Sequence, residues 1–194
     1  MKTLVPLIKY ILNAIFKKEM WLGAFAFFIF SVSLPAQNSS FKWAKQIRGD
    51  SYYFGRSMVT DINGNSYTTG IFQGTKDFDP GTAVFNLASS GPDEDIFIVK
   101  LDSVGQFVWA RKIGGASFKV VSSIALDMAG NIFTIGYFKG TIDVDPGTTT
   151  YNLYSGLYRT NGFVTKFDGA GNFLWGKKVG DTTANTQGLI KHCR

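Results

Sequence analysis

The residues best placed to do chemistry are two pairs of carboxylates that recur with the same spacing. Asp77 and Asp79 precede a Pro-Gly-Thr tripeptide, and Asp143 and Asp145 precede the same tripeptide 66 positions later. Carboxylates at alternate positions offer the hard oxygen ligands that Ca²⁺ prefers, although Ca²⁺ takes six to eight of them. The same residues fit a type II β-turn, with Asp first, Pro second and Gly third. A structural turn is the favoured interpretation, and calcium bound by these four aspartates is the alternative.

The rest of the sequence argues against catalysis. The single histidine, His192, adjoins the single cysteine, Cys193, so zinc chemistry, a histidine-based triad and an internal disulfide do not fit. A catalytic acid pair is normally made once, whereas the aspartate pair here occurs in both copies, as scaffold does. We therefore expect a non-enzymatic protein that has no cofactor unless Ca²⁺ binds the aspartate pairs.

A second pattern, Asp-x-x-Gly followed by Asn or Gln, occurs four times. The Asp side chain opens such a turn by accepting hydrogen bonds from nearby backbone N–H groups, and Gly closes it in the left-handed conformation of a hairpin bulge. Asn63 in the first copy becomes Ala129 in the second, so an alternating set of oxygen ligands is not kept. We predict four structural turns, built by Asp61 and Gly64, Asp102 and Gly105, Asp127 and Gly130, and Asp168 and Gly171.

Both patterns belong to a 66-residue unit that organises the chain. Residues 41–106 and 107–172 align without a gap, and 27 of the 66 positions are identical. Self-similarity at a fixed long period indicates a repeat architecture. Two hairpins per unit give four antiparallel strands, which form one blade of a β-propeller. Trp43, Trp109 and Trp175 stand at the same phase in the last strand of their units, where a role in packing between blades is favoured over stacking on a ligand.

The predicted fold class is all-β, a partial β-propeller of four-stranded antiparallel blades that follows an N-terminal helical signal or anchor segment. Residues 41–47 match a last strand, and we predict that they close a blade whose other strands are missing. Complete blades are expected at roughly 57–114 and 123–180. The repeats fill residues 37–181, with a partial third copy at 173–181. Residues 182–194 lose the pattern and are predicted to be a truncated or disordered tail.

Two blades are too few for a ring, which usually has about four to eight. Truncation is therefore the favoured interpretation of the sequence. If the stop codon after Arg194 is genuine, closure by oligomerisation is the alternative.

Residues 1–36 are predicted to direct export. Lys17 and Lys18 precede an apolar run at 21–34, and Ala36 offers a small residue for cleavage, as in a secretory signal peptide. The run is shorter than the roughly 20 residues that span a bilayer. An uncleaved N-terminal membrane anchor is the alternative. Both interpretations place the repeats outside the cytoplasm, secreted or at the cell surface, with membrane contact only through residues 1–36.

The net charge of +6 does not predict nucleic-acid binding. Residues 1–36 carry four lysines and one glutamate, and the remainder carries 16 basic and 13 acidic side chains without a basic run. A nucleic-acid surface needs such a cluster. We therefore expect no nucleic-acid partner.

The repeat resembles the SBBP-type bacterial β-propeller repeat. The matching segments are 109–115 (WARKIGG), 123–127 (SIALD), 130–136 (GNIFTIG) and 162–168 (GFVTKFD), and in the first copy 64–70 (GNSYTTG) and 95–100 (DIFIVK). The resemblance covers residues 41–181 and implies a secreted or surface-displayed protein of no single activity.

The favoured function is a non-catalytic binding or structural, adhesion-like module. Loops 89–95 and 155–162 differ most between the copies and are predicted to carry recognition, because scaffold is kept while recognition loops vary. An extracellular protein or polysaccharide is the expected class of partner. The alternatives are a fragment of a secreted propeller enzyme acting on polysaccharide or peptide, and a truncated gene product without independent function.

Overall fold

The computed structural model describes residues 41–47, 52–156 and 159–180. The chain divides into a unit of Met1–Phe41 and a unit of Lys42–Arg194, and the fold below is that of the second unit. The predicted signal or anchor segment and the tail at 182–194 lie outside the described residues. Within the described ranges the regular structure is all strand, and no helix has the length and apolar character needed to cross a membrane.

Two antiparallel sheets of four strands form two blades. Blade 1 has the order β1-β2-β5-β6, and blade 2 has the order β7-β8-β11-β12. The strands of blade 1 are β1 (Tyr53–Thr60), β2 (Ser66–Phe72), β5 (Asp95–Leu101) and β6 (Phe107–Ile113), and those of blade 2 are β7 (Lys119–Leu126), β8 (Ile132–Phe138), β11 (Asn161–Phe167) and β12 (Phe173–Val179). The predicted all-β class and four-stranded antiparallel sheets are confirmed. The two described blades do not close a ring.

Each blade carries a small hairpin between its second and third long strands. Blade 1 has β3 (Thr75–Asp77) paired with β4 (Asn86–Ala88), and blade 2 has β9 (Thr141–Asp143) paired with β10 (Asn152–Tyr154). The Pro-Gly-Thr tripeptides lie in the loops of these hairpins. Every blade therefore has two ends. The turn end holds the Asp-x-x-Gly loops, and the loop end holds the longer connections at 73–94, 114–118 and 139–160.

The first strand of each blade, β1 or β7, begins earlier than the sequence predicts. β1 begins at Tyr53 and β7 at Lys119, four residues before Ser57 and Ser123. The pairing register shifts between Gly55 and Ser57, and again between Val121 and Ser123. A bulge adds one residue to a strand and interrupts the two-residue alternation, so the strand continues where the sequence pattern breaks.

Residues 41–47 form no strand, and the prediction of a closing strand is wrong for the structure described. A strand needs a hydrogen-bonded neighbour, and none of the described strands pairs with this segment. Side chains hold it instead. Trp43 and Ile47 pack against the apolar face of blade 1, and Trp43 Nε1 donates to Ser103 O at 3.0 Å.

The main core lies between the two blades. One buried hydrophobic cluster includes side chains from both blades, among them Tyr67, Ile98 and Trp109 of blade 1 and Phe138 and Phe163 of blade 2. Complete burial of a large apolar side chain contributes about 1.5–3 kcal/mol. The contact between blades is therefore a principal source of stability.

Candidate functional site

The four Asp-x-x-Gly loops share one hydrogen-bond pattern at the turn end. In the first loop, Asp61 Oδ1 accepts from the backbone N–H groups of Asn63 and Asn65 at 2.9 Å each, and Gly64 has a φ of 82°. The corresponding glycines in the other loops, Gly105, Gly130 and Gly171, each have a φ of 79°. Asp102, Asp127 and Asp168 accept the equivalent backbone bonds. Each aspartate is thus bonded to its own turn.

These bonds lower the pKa of the carboxyls of Asp61, Asp127 and Asp168. The Asn131 side-chain amide donates to Asp127 Oδ2 at 2.7 Å and, together with the Asn131 backbone N–H and Lys166, lowers the pKa of Asp127 to about 2. The Asn172 backbone and side-chain N–H groups lower the pKa of Asp168. Burial alone raises the pKa of Asp61, but hydrogen bonds from Asn65 and its neighbours outweigh it, so the net pKa is lowered. In the loops of Asp61, Asp127 and Asp168 the hydrogen bonds therefore favour the ionised carboxylate.

The paired aspartates before the Pro-Gly-Thr tripeptides also accept hydrogen bonds from the backbone of their own loops. Asp77 Oδ1 accepts from Asp79 N at 3.0 Å and from Phe85 N at 2.9 Å, so it spans the base of the first hairpin loop. In the second hairpin, Asp143 Oδ1 accepts from Asp145 N at 3.1 Å and from Tyr151 N at 2.9 Å. One oxygen of each first aspartate therefore ties the two sides of its loop together.

The predicted type II turn is wrong. That turn requires a positive φ at its third residue, and neither Gly81 nor Gly147 has one. The second aspartate supplies the turn instead, since Asp79 Oδ1 accepts from Gly81 N at 2.7 Å and Asp145 Oδ1 from Gly147 N at 2.8 Å. A side-chain oxygen takes the place of a backbone carbonyl, which is an Asx-turn.

Calcium at Asp77, Asp79, Asp143 and Asp145 remains a prediction. The two pairs lie in separate hairpins, and each pair would have to be completed by backbone oxygens, because Ca²⁺ takes six to eight ligands. Across the part of the chain that the structure describes, no three His, Cys, Asp or Glu side chains are grouped closely enough to hold a metal ion by themselves.

The three tryptophans stand at the same position of successive repeats. The Trp109 indole is buried, meets Tyr67 edge-on at 6.2 Å, and points Nε1 toward Gly169 O of blade 2 at 3.4 Å. Trp43 makes the same approach to Ser103 O of blade 1, at the same position of the repeat. Trp175 meets Phe133 edge-on at 6.1 Å and stays half-buried. Trp43 and Trp109 therefore both direct the indole N–H at a loop carbonyl 60 residues further along the chain, and Trp175 packs on Phe133 of its own sheet.

Two lysines at one position of the repeat behave differently. Lys100 Nζ lies 4.9 Å from the Tyr67 ring centroid and donates across the blade junction to Gly169 O at 3.2 Å. Lys166 Nζ lies 4.9 Å from the Phe133 ring and pairs with Asp127 within its own blade, at 3.3 Å. The first lysine thus joins two blades, and the second faces outward.

The loop end holds a buried ionic cluster that the sequence analysis missed. Lys119 and Asp95 are both fully buried, with Nζ and Oδ1 3.0 Å apart, and Lys112 Nζ lies 3.2 Å from Asp95 Oδ2. The three N–H groups of Lys119 are directed at the carbonyl oxygens of Glu94, Gly115 and Ser117, so its contact with Asp95 Oδ1 is ionic without a hydrogen bond.

This cluster occurs at one junction only among the described blades. The equivalent of Lys119 in the first copy is Tyr53, and the equivalent of Asp95 in the second copy is Asn161. Two opposite charges, each present in only one of the two copies and each at a strand-starting position, are the signal that could have revealed it.

The predicted recognition loop at 89–95 is anchored to this cluster. Ser90 N and Oγ both donate to Asp95 Oδ2 at 2.8 Å, and Lys112 Nζ donates to Ser90 Oγ at 3.0 Å. Gly91, Pro92 and Asp93 are exposed beyond these bonds. The loop therefore has a fixed base and an accessible tip. The second recognition loop is described only in part, at residues 155–156 and 159–162.

A cleft of about 510 Å³ separates the rims of the two blades. Phe85 and Arg111 line its blade 1 side, and Asp145 and Phe173 line its blade 2 side. Arg111 Nε donates to Gly171 O at 3.1 Å. Two rings, a guanidinium and a carboxylate therefore line the cleft together.

Comparison with known proteins supports the repeat assignment. Residues 42–70 match the Beta-propeller repeat family SBBP, which confirms the resemblance drawn from the sequence. An uncharacterized WD repeat-containing protein of Acanthamoeba polyphaga mimivirus is 35% identical over 85 residues. That similarity covers 42% of this chain and 6% of the viral protein, so the chain spans a small part of this relative. Both similarities are to repeat modules, and a repeat-based binding or scaffold role is the class of function that they support.

Proposed function

We propose that the chain is an exported, non-catalytic binding module that contacts an extracellular protein or polysaccharide through its loop end. The supporting observation is the contrast between the two ends of the blades. The turn end repeats one hydrogen-bond pattern in all four loops, whereas loops 89–95 and 155–161 share only their first serine. Variation concentrated at one end of a constant scaffold is typical of a recognition surface.

The ionic cluster gives a physical reason why loop 89–95 is suited to binding. It fixes the base of loop 89–95 through Ser90, Asp95 and Lys112 while the tip at Pro92 and Asp93 stays exposed. A loop that is ordered before binding loses less conformational entropy on association. The loop end is therefore suited to binding rather than to covering the core.

Binding is tested on immobilised arrays of polysaccharides and extracellular proteins. A Pro92→Ala/Asp93→Ser variant changes the exposed tip, and Val104→Ala, at an exposed position of the turn end, is the matched control. We expect the loop variant to lose at least about tenfold in affinity, which corresponds to about 1.4 kcal/mol. The control should bind as the wild type does. Equal binding by both variants, or turnover of the bound partner, would contradict the proposal.

Export is tested separately, by mass spectrometry of the full gene product after cell fractionation. A protein that begins at Gln37 in the medium or on the surface is the expected result for a cleaved signal peptide. An intact N-terminus in the membrane fraction would favour the anchor, and a wholly cytoplasmic product would exclude export.

A further inference from the structure

We propose that Asn63 is a site of self-modification, at which the chain converts its own asparagine into aspartate or isoaspartate. The turn that Asp61 builds holds this reaction back, so the extent of modification records how often the turn has opened. The site lies at the turn end of blade 1 and is independent of the binding role proposed for the loop end.

The sequence contains two Asn-Gly pairs, Asn63-Gly64 and Asn161-Gly162. An asparagine cyclises most readily when glycine follows it, because glycine has no side chain to shield its amide nitrogen. Asn63 and Gly64 are both exposed in the turn between β1 and β2. Asn161 is 0% exposed and begins β11, an inner strand of blade 2. Asn63 is therefore the accessible pair, and Asn161 serves as an internal reference.

Among the four Asp-x-x-Gly turns only the first can react in this way. The position of Asn63 is taken by Val104, Ala129 and Ala170 in the other three turns. None of these side chains has a carbonyl carbon for the following nitrogen to attack. The repeat therefore provides three unreactive copies of one turn and a single reactive one.

The reaction needs only water as a co-reactant. The Gly64 nitrogen attacks Cγ of Asn63, so that an N–Cγ bond forms while the Cγ–Nδ2 bond breaks. The proton of the Gly64 amide leaves with Nδ2 as ammonia. Water then opens the resulting succinimide ring at either carbonyl, which gives aspartate or isoaspartate at position 63.

The folded turn opposes this attack. Gly64 N donates to Asp61 O at 3.0 Å, so the attacking nitrogen is already engaged. Asn63 N donates to Asp61 Oδ1 at 2.9 Å, which fixes the peptide group on the other side of Asn63. Ring closure requires the backbone to leave this arrangement. The rate in the folded protein is therefore the rate in the unfolded chain multiplied by the fraction of time that the turn is open.

Either product prevents the turn from closing as before. Burial raises and hydrogen bonds from Asn65 and its neighbours lower the pKa of Asp61, with a net lowering, and a second carboxylate beside Asp61 opposes that ionisation. Isoaspartate also adds a carbon atom to the backbone between Thr60 and Ser66, whose pairing closes the β1–β2 hairpin. Because ammonia is lost, the change accumulates in one direction.

Peptide mapping of the full-length chain tests the proposal, with isoaspartate detected by mass spectrometry and by isoaspartyl methyltransferase labelling. In buffer Asn63 should react more slowly than in urea, whereas Asn161 should react only in urea. Asp61→Ala should raise the rate at Asn63 in buffer at least about tenfold, because bonds that close the turn are lost. Asp127→Ala is the matched control, since it opens the equivalent turn around Ala129 and should leave the rate at Asn63 unchanged.

Hydrogen exchange at the Gly64 amide measures opening of the turn directly, and across these variants it should rise in parallel with the modification of Asn63. An equal rate at Asn63 in buffer and in urea would overturn the proposal. So would a rate in buffer no higher than that at Asn161, or a rate that Asp61→Ala leaves unchanged. If Asp61→Ala raised the rate at Asn161 as well, global unfolding would be the cause, and the role of the local turn would be excluded.

Discussion

Lys119 and Asp95 form a fully buried ion pair across the junction of the two blades, with 3.0 Å between Nζ and Oδ1. A charge that loses its partner in the interior costs about 3–5 kcal/mol. Lys119→Met leaves Lys112 as the remaining cation near Asp95, so we expect a loss of about 3 kcal/mol in the free energy of unfolding. Urea denaturation measures it, with the exposed Lys177→Met as control.

The double variant Lys119→Met/Asp95→Asn should be more stable than Lys119→Met, because it removes the unpaired carboxylate as well. A double variant that is less stable than the single one would show that the Asp95 charge is not the source of the loss.

The lowered pKa of Asp127 predicts that the free energy of unfolding falls in acid. Its pKa falls from the ordinary value of 3.8 to about 2 in the folded chain, chiefly because the Asn131 side chain donates to it. A carboxyl with a lowered pKa stabilises the fold fully above its unfolded value and loses that contribution as the pH falls through the folded value. Thermal unfolding should therefore show a decline between about pH 4 and pH 2 that Asp127→Asn makes shallower.

Asp93→Asn, at an exposed position outside the turns, is the matched control for this titration. The same shallower decline in the control would assign the acid effect to net charge rather than to the Asp127 turn.

Gly136 marks the tightest approach in blade 2. An added Cβ would lie 2.1 Å from Val120 O and 2.6 Å from Phe163 Cε1, so Gly136→Ala must push the strand backbone as well as a buried ring. Overpacking usually costs about 1–3 kcal/mol, and displaced backbone places this variant at or above the upper value.

Gly55→Ala is the matched substitution, since nothing lies within 4 Å of its added Cβ and its φ is not positive. It should be neutral or stabilise by up to about 1 kcal/mol through the unfolded state. Equal effects of the two substitutions in urea denaturation would refute the packing argument.

Calcium binding at the aspartate pairs is tested by calorimetry. A ligand that binds only the native state stabilises it, so millimolar Ca²⁺ should raise the Tm if the pairs are sites. Asp79→Asn/Asp145→Asn should lower the starting Tm through the weakened Asx-turns and should abolish the further rise with Ca²⁺. No rise in the wild type, or an equal rise in the variant, would reject the site.

The sequence period was sufficient to predict the long strands. Asp-x-x-Gly loops pair neighbouring segments directly, so β2, β5 and β6 and their copies follow from local chemistry. The starts of β1 and β7 could not be predicted in this way, because a bulge breaks the alternation after Gly55 and Val121.

One local feature and one tertiary feature were also missed. The turn at Asp79 uses a side-chain oxygen where Pro80 and Gly81 suggested a type II backbone turn. The charge on Lys119 is compensated by Asp95 and by the carbonyl of Glu94, both on the neighbouring blade, as well as by two carbonyls close to it in sequence. Only the packing of blade 2 on blade 1 brings Lys119 to Asp95 and Glu94.

The spacing of the indole contacts affects how the number of repeats can change when the gene is duplicated in part. Trp43 and Trp109 each reach a carbonyl 60 residues further along the chain, which is less than one 66-residue period. Each 66-residue period thus contains one tryptophan that donates to a carbonyl further along the chain and one carbonyl that can accept from the preceding tryptophan. Duplication of a 66-codon stretch supplies both parts of a new junction at once, whatever its starting phase. The length of the array can therefore change by inheritance without any new complementary surface having to evolve.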